Sequence, residues 1–440
     1  MLIFIENTPR AYAWGSRDAL AELLGTNPTG EPQAELWLGA HPGDPATVAK
    51  AVPGTRTLID LIESDPECYG VDGAQLPFLL KVLGIGAPLS LQVHPNKAQA
   101  EAGFAAEEAA GVPLDARERN YGDANHKPEL LVALSEVSAL SGFRPISQAR
   151  RELLALAELA GSGASALVHA AELCDAGGGG AGSDFEPRAE DAARGREAYL
   201  AWALSGTPDA IDAVRAVARA VKVPAAETEG RIDRHRLAVL RQLTVTYPED
   251  PGVLVSLLLH LVRLEPGQAV YLGARQMHAY LSGIAVEVMA SSDNVLRAGF
   301  TEKHVDAAEL LAIVDFSELD DPRMPARTVA AGFVEWAPDV PDFRLMRARL
   351  RDPVEPETVL AGDDRAEVVE VTAEFPLVLV VTSGRVRVER PRAEFDEVAS
   401  VGRGQSLYVS AGAPIELSGS GEVFIATAGR GAAGGLRRRA

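Results

Sequence analysis

The sequence predicts a mainly β protein with an α-helical insertion, α+β overall, and three observations carry that expectation. From Met1 to about Arg144, and again from about Val253 to Ala428, short apolar runs alternate with Gly, Pro and Asp punctuation, as in Pro77-Phe78-Leu79-Leu80-Lys81-Val82-Leu83. Between about Ser147 and Lys222 the texture shifts to Ala, Glu, Arg and Leu, with Ile211, Val214, Val217 and Val221 at helical spacing. The Gly-Gln turn of Glu265-Pro266-Gly267-Gln268-Ala269-Val270-Tyr271-Leu272 returns as Gly402-Arg403-Gly404-Gln405-Ser406-Leu407-Tyr408-Val409, so two related β-domains are expected.

Taken in order, Met1-Leu2-Ile3-Phe4-Ile5-Glu6-Asn7 reads as a first strand, because it lacks the basic flank and long apolar stretch of a signal peptide. In Leu89-Ser90-Leu91-Gln92-Val93-His94-Pro95, side chains alternate faces, so Gln92 and His94 point one way and Leu91 and Val93 the other. Thr207 suits an N-cap and Pro208 the first helical position. The glycine-rich piece 176–183 has no preceding strand and no following Lys-Ser/Thr, so it reads as a flexible surface loop and not a phosphate cradle. The apolar run 253–264 contains Ser256, His260 and Arg263 and falls short of the roughly 18 residues of a membrane span, so it reads as buried core. A helical interval is expected near 306–313. The expected division is 1–145 with 250–320 as the β-domain carrying the site, 146–249 as the helical insertion, 321–428 as a second β-domain, and 429–440 as a disordered tail. Laying the two Gly-Gln turns over each other sets His278 opposite Ile415, which makes the later β-domain degenerate.

The 440 residues, 47% hydrophobic, are enough for two to four domains, and a formal charge of −20 argues against nucleic acid or an anionic membrane as partner. Any anionic ligand must meet a local cluster of positive charge. Cys68 and Cys174 lie far apart without a CxxC spacing, which argues against a disulfide framework, a zinc knuckle or a redox pair. A cytoplasmic location is expected, with no obligatory protein partner evident.

Gln92 and His94 need complements. Asn125-His126-Lys127-Pro128-Glu129 leads into the apolar run Leu130-Leu131-Val132, and Lys127 and Glu129 would share a strand face. His278 follows the strand 269–272. Gln92, His94, Glu129 and His278 together offer an amide oxygen, two imidazoles and a carboxylate, a set that suits Zn2+ or another first-row divalent ion. The stretch from Glu287 to Lys303 packs acids, amide and bases between apolar residues. Glu287 is suited to moving a proton, Arg297 to a two-pronged grip on carboxylate or phosphate, and Lys303 to a point charge.

Four segments in order, Leu91-Gln92-Val93-His94-Pro95, Asn125-His126-Lys127-Pro128-Glu129, His278-Ala279-Tyr280-Leu281-Ser282-Gly283 and Ser292-Asp293-Asn294-Val295-Leu296-Arg297-Ala298-Gly299, closely resemble type I mannose-6-phosphate isomerase. Supporting matches are Tyr12-Ala13-Trp14-Gly15, Ala34-Glu35-Leu36-Trp37-Leu38-Gly39-Ala40-His41-Pro42 and Pro77-Phe78-Leu79-Leu80-Lys81, so the resemblance covers nearly the whole chain. It implies cupin-like jelly-roll barrels with a helical insertion, one zinc ion per chain, and interconversion of D-mannose 6-phosphate and D-fructose 6-phosphate. The family's metal ligands match Gln92, His94, Glu129 and His278, and its active-site arginine matches Arg297. Lys81, Ser90, Arg297 and Lys303 are the candidate phosphate anchors, and Tyr280 and Trp14 further candidate substrate contacts. One departure is Ala274-Arg275-Gln276-Met277 ahead of His278, where the family usually carries Pro; the glycine-rich insert is another.

Moving a carbonyl from C1 to C2 requires removal of a weakly acidic C2 proton and its return to C1 through an enediol, whose developing charge a divalent ion stabilises. Glu287, His126 and Asp293 are the candidate bases, with Lys127 as proton donor to oxygen. The remote phosphate anchors the open chain. Cupin-like barrels also serve as iron dioxygenases and manganese decarboxylases, or as noncatalytic sugar-binding proteins. Gln92, where redox sites favour histidine, argues for Lewis-acid work.

Overall fold

The computed structural model describes residues 1–49, 56–161, 164–175, 187–224, 228, 230–353, 364–391 and 397–429. The glycine-rich piece 176–183 and the tail from 430 onward lie outside the described residues. Two sheets, of nine and ten strands, make up the β structure, and the long ladders within them are antiparallel. The nine-stranded sheet centres on His278–Ala290, which pairs with Phe78–Ile85, Glu129–Ala133, Val137–Phe143 and, at His278, with Leu91–Val93. Phe78–Ile85 is buried at all eight positions, as expected where both faces of a strand are covered. Leu80, Val82, Leu130, Val132, Val286 and Val288 pack against Leu345, Val378 and Phe424 of the second sheet. Leu83, Leu131, Ala133 and Tyr280 face a smaller core of the first sheet, with Trp14 at its margin.

The helices Ile146–Ala160, Ala164–Leu173, Ala189–Ala203, Pro208–Ala220 and Arg234–Thr246 follow the strand Val137–Phe143. Thr207 caps its helix by accepting from the Ala210 N–H, and Pro208 occupies the first turn, where its missing donor costs nothing. Their apolar faces share one core with Leu91, Val93 and Leu296. The alternation expected at 91–94 therefore holds: Leu91 and Val93 close on the helical layer while Gln92 turns to the opposite side.

Several elements differ from expectation. The first strand, Leu2–Glu6, pairs with Ser406–Val409 and so joins the ten-stranded sheet, away from the sheet that carries the candidate ligands. A 13-residue helix, Lys97–Ala109, interrupts the strand-and-turn texture of the first 144 residues. Only Ala100 of it is buried, so no apolar stripe marked it; its signal was the reciprocal capping box of Asn96 and Gln99. The run 253–264 divides into a short helix, Gly252–Ser256, and a strand, Leu259–Leu264. The two Gly-Gln turns match in detail: Gln268 accepts from the Glu265 N–H and Gln405 from the Gly402 N–H. Gly267 and Gly404 hold φ of 87° and 80°, a left-handed conformation that favours glycine.

Leu153 is wholly buried in the core shared by helices and sheet. Leu153→Ala should destabilise the fold by about 2 to 5 kcal/mol, read as a lower urea midpoint.

Candidate metal centre

A cross-strand row defines the site. Gln92 lies opposite His278 on one neighbour and opposite Arg297 on the other, the strand Leu296–Gly299. Glu129 enters from the start of Glu129–Ala133, where it pairs with Met289 and Leu272. Local sequence chose which face each residue takes, but the antiparallel register brought positions 92, 129, 278 and 297 together.

Both imidazoles are held in one tautomer. His94 Nδ1–H donates to the Asn294 carbonyl at 2.6 Å and His278 Nδ1–H to the Gln276 carbonyl at 3.0 Å, which leaves both Nε2 atoms unprotonated, that of His278 placed to accept from the Gln92 amide. Those nitrogens lie 3.3 and 3.4 Å from the two Glu129 oxygens, and the Gln92 carboxamide lies 3.2 Å from His278 Nε2. Turning that amide about its terminal bond presents Oε1 at the same place. His94 Nε2 and Glu129 Oε2 are buried with no hydrogen-bond partner, a costly state for polar atoms. His94, Glu129 and His278 are placed to hold one metal ion, and an N/O donor set of this kind suits zinc.

Electrostatics agree. Burial lowers the His94 pKa to about 4, so the ring is neutral near pH 7, as a ligand must be. Burial alone would raise Glu129, but the Lys127 ammonium, 3.1 Å from Oε1, holds it well below the ordinary carboxylate range.

Gln92, Lys127 and Glu129 line a cleft of about 630 Å³ that also receives Trp14, Lys81, Ser90, Tyr280, Glu287, Asp293, Arg297 and Lys303. His94 and His278 lie wholly buried behind it. Of the expected site residues, His126 is the one the fold turns elsewhere: its Nε2 meets Asp342 Oδ2 at 2.8 Å, and it does not border the cleft. Glu287 is engaged on both oxygens, accepting from the Tyr280 hydroxyl at 2.9 Å and lying 3.4 Å from Lys81 Nζ. Burial, with the Glu129 charge adding, pushes its pKa up to about 7. Lys81 also lies 3.7 Å from Glu35, so two carboxylates compensate its charge; they raise its pKa although burial opposes them. Asp293 keeps 61% of its side chain exposed. No carboxylate among the described residues lies within ion-pair distance of Arg297 or Lys303. Both also border an adjoining recess of about 420 Å³ with Arg117.

Sequence reasoning missed Glu35, His41 and Asn294. Asn294 is wholly buried, accepts from the Gly122 N–H, and donates to the Asp123 and Asn125 carbonyls. It ties the loop before Lys127 to the strand bearing Arg297. All three stand inside the motifs quoted above, but nothing local distinguishes a buried polar contact from a solvated one.

The fold and site define a protein of mostly antiparallel sheets, with a cleft lined by acids and bases beside a candidate metal centre. Residues 2–146 match the family model for the phosphomannose isomerase type I catalytic domain. The chain is 38% identical to the mannose-6-phosphate isomerase of Shigella flexneri over 367 residues, 82% of this chain and 86% of that protein. It is 29% identical to the Homo sapiens mannose-6-phosphate isomerase over 425 residues, 92% of each. It is similar in structure to a zinc-bound mannose 6-phosphate isomerase, with a TM-score of 0.79, 32% identity, and coverage of 97% of this chain and 99% of the other. The Salmonella typhimurium enzyme bound to fructose 6-phosphate and zinc superposes with the same TM-score, identity and coverage. The chain belongs to the type I mannose-6-phosphate isomerase family.

Chelator-stripped protein should take up one Zn2+ per chain by elemental analysis. At about 100 times Kd the ion should stabilise the fold by about 2.7 kcal/mol, and Glu129→Gln should lose both uptake and stabilisation. Glu287 yields a pH prediction. A carboxyl whose folded pKa is raised from 4.5 to about 7 contributes stability that is fully present below 4.5 and is lost as pH rises toward 7. Glu287→Gln, isosteric with the protonated form, should flatten the loss of stability across that window in urea titrations of metal-free protein.

Proposed function

We propose that this chain interconverts D-mannose 6-phosphate and D-fructose 6-phosphate through an enediol, with one zinc ion per chain. The observation that carries the reading is the row Arg297, Gln92 and His278 beside Glu129, in a cleft with room for a hexose phosphate. Relatives named for this activity, and a related structure with zinc and fructose 6-phosphate bound, support it. Gln92, His94, Glu129 and His278 would hold the zinc, which when bound supplies a fixed positive charge that polarises the sugar oxygens.

Asp293 is the proposed base, because it borders the cleft with an oxygen free, whereas both Glu287 oxygens are engaged and His126 faces Asp342. It takes the C2 proton and returns it to C1. Lys127, close to Glu129, donates and recovers the proton at oxygen. Arg297 stabilises the charge that develops on the enediol, a role that its lack of a carboxylate partner favours. Lys303 takes the phosphate, and Ser90, Trp14 and Tyr280 shape the walls. Lys81 is assigned to holding Glu35 and Glu287 and not to phosphate, since its charge is already met. The two matched Gly-Gln turns support cupin-like jelly rolls, with 1–145 and 250–320 as the catalytic unit except for the first strand, which joins the second sheet, 146–249 inserted, and 321–428 as the degenerate copy. The chain is assigned to the cytoplasm, with no obligatory protein partner. No helix among the described residues is long and apolar enough to cross a membrane.

Zinc-loaded protein should form fructose 6-phosphate from mannose 6-phosphate in a coupled assay, and absence of turnover overturns the proposal. Arg297→Ala should cut kcat by about 10² to 10³ while zinc content stays the same; an unchanged rate removes Arg297 from the chemistry.

A further inference from the structure

His41 follows the strand Glu35–Leu38, within Ala40-His41-Pro42, and its ring is buried. Nδ1 accepts from the Gly43 N–H at 3.1 Å. A nitrogen that accepts carries no proton, so in the neutral ring the proton sits on Nε2. That Nε2 lies 3.6 Å from Asp293 Oδ1. The Trp37 ring meets the imidazole edge-on, with centroids 5.0 Å apart, and prevents it from swinging away. Burial lowers the His41 pKa, which keeps the ring a neutral donor.

Asp293 is gripped from a second side through its backbone, whose N–H donates to Asp123 Oδ2 at 2.7 Å. Its carboxylate is otherwise exposed. An exposed carboxylate samples several rotamers, and a base works only when its oxygen is held within reach of the proton it removes. The separation of 3.6 Å is longer than a hydrogen bond and closes with a small rotation of the carboxylate, as such contacts tighten when a ligand binds. His41 does not border the cleft, so it touches no substrate.

We infer that His41 is the positioning residue for Asp293, with its Nε2–H holding Oδ1 so that the other oxygen faces the sugar's C1 and C2. This rests on the assignment of Asp293 as base made above. The role assigned to His41 is geometric: it neither gains nor loses a proton during turnover.

The test is a double-mutant cycle on the zinc-loaded enzyme with mannose 6-phosphate, using His41→Ala, His41→Gln, Asp293→Ala and the His41→Ala/Asp293→Ala pair. His41→Ala should lower kcat on the order of tenfold, with KM and zinc content nearly unchanged. His41→Gln, whose side-chain N–H reaches close to the place of Nε2, should recover most of the rate, and it serves as the test should the Ala variant not fold. The pair should be no slower than Asp293→Ala alone, because removing the holder costs nothing once the held group is gone. Losses that multiply, a full rate in His41→Ala, or a Gln variant no better than Ala overturn the inference. A full rate in Asp293→Ala instead overturns the base assignment and this inference together, so the two failures are distinguishable.

Discussion

The site depends on one electrostatic constraint: a buried carboxylate faced by two imidazole nitrogens that carry lone pairs and no protons. Backbone carbonyls at Asn294 and Gln276 take the Nδ1 protons, so neither ring can donate to Glu129 unless it becomes charged, and burial disfavours that at His94. Lone pairs pointing at a carboxylate in a dry interior repel, and a cation among them removes the repulsion. Lys127 supplies part of that charge from one side. A divalent ion supplies the rest, which makes metal binding and the stability of this part of the fold one problem.

The same reasoning sorts the positive groups of the cleft. In a chain with a net charge of −20, a cation without a carboxylate beside it is a local exception. Lys81 is not such an exception, being held between Glu35 and Glu287. Arg297 and Lys303 make no ion pair among the described residues, although Glu302 borders the same recess, and they stand together at the side of the cleft that opens toward Arg117. The cleft is thus polarised, with compensated charge on one wall and uncompensated positive charge on the other, which orients a substrate whose phosphate lies remote from its reacting carbons.

The remaining structure keeps the row of residues 278, 92 and 297 in register. Leu91 and Val93 anchor the middle strand of that row, and Leu296 one of the outer strands, in the core they share with the helices. On the opposite side, the alternating apolar residues of Phe78–Ile85, Glu129–Ala133 and His278–Ala290 rest on the second sheet, which the first strand of the chain completes. A slip of one residue in any of these ladders would turn a ligand to the wrong face.

The sequence by itself determined what local chemistry determines. The alternation at 91–94, the cap at Thr207 and the matched Gly-Gln turns were all legible, because each rests on spacing within a few residues. Their ordered motifs also made the family legible. The helix Lys97–Ala109 was missed because it hides almost no apolar surface, and the run 253–264 concealed a helix-to-strand change because both states are buried. Only the tertiary structure decided that His126 turns to Asp342, that Glu35 joins Lys81, and that His41 stands behind Asp293. The partners in those contacts lie 216, 46 and 252 positions apart. At such separations no local rule acts: whether a charged side chain is bare or compensated depends on which strands pack together, and that is a property of the whole fold.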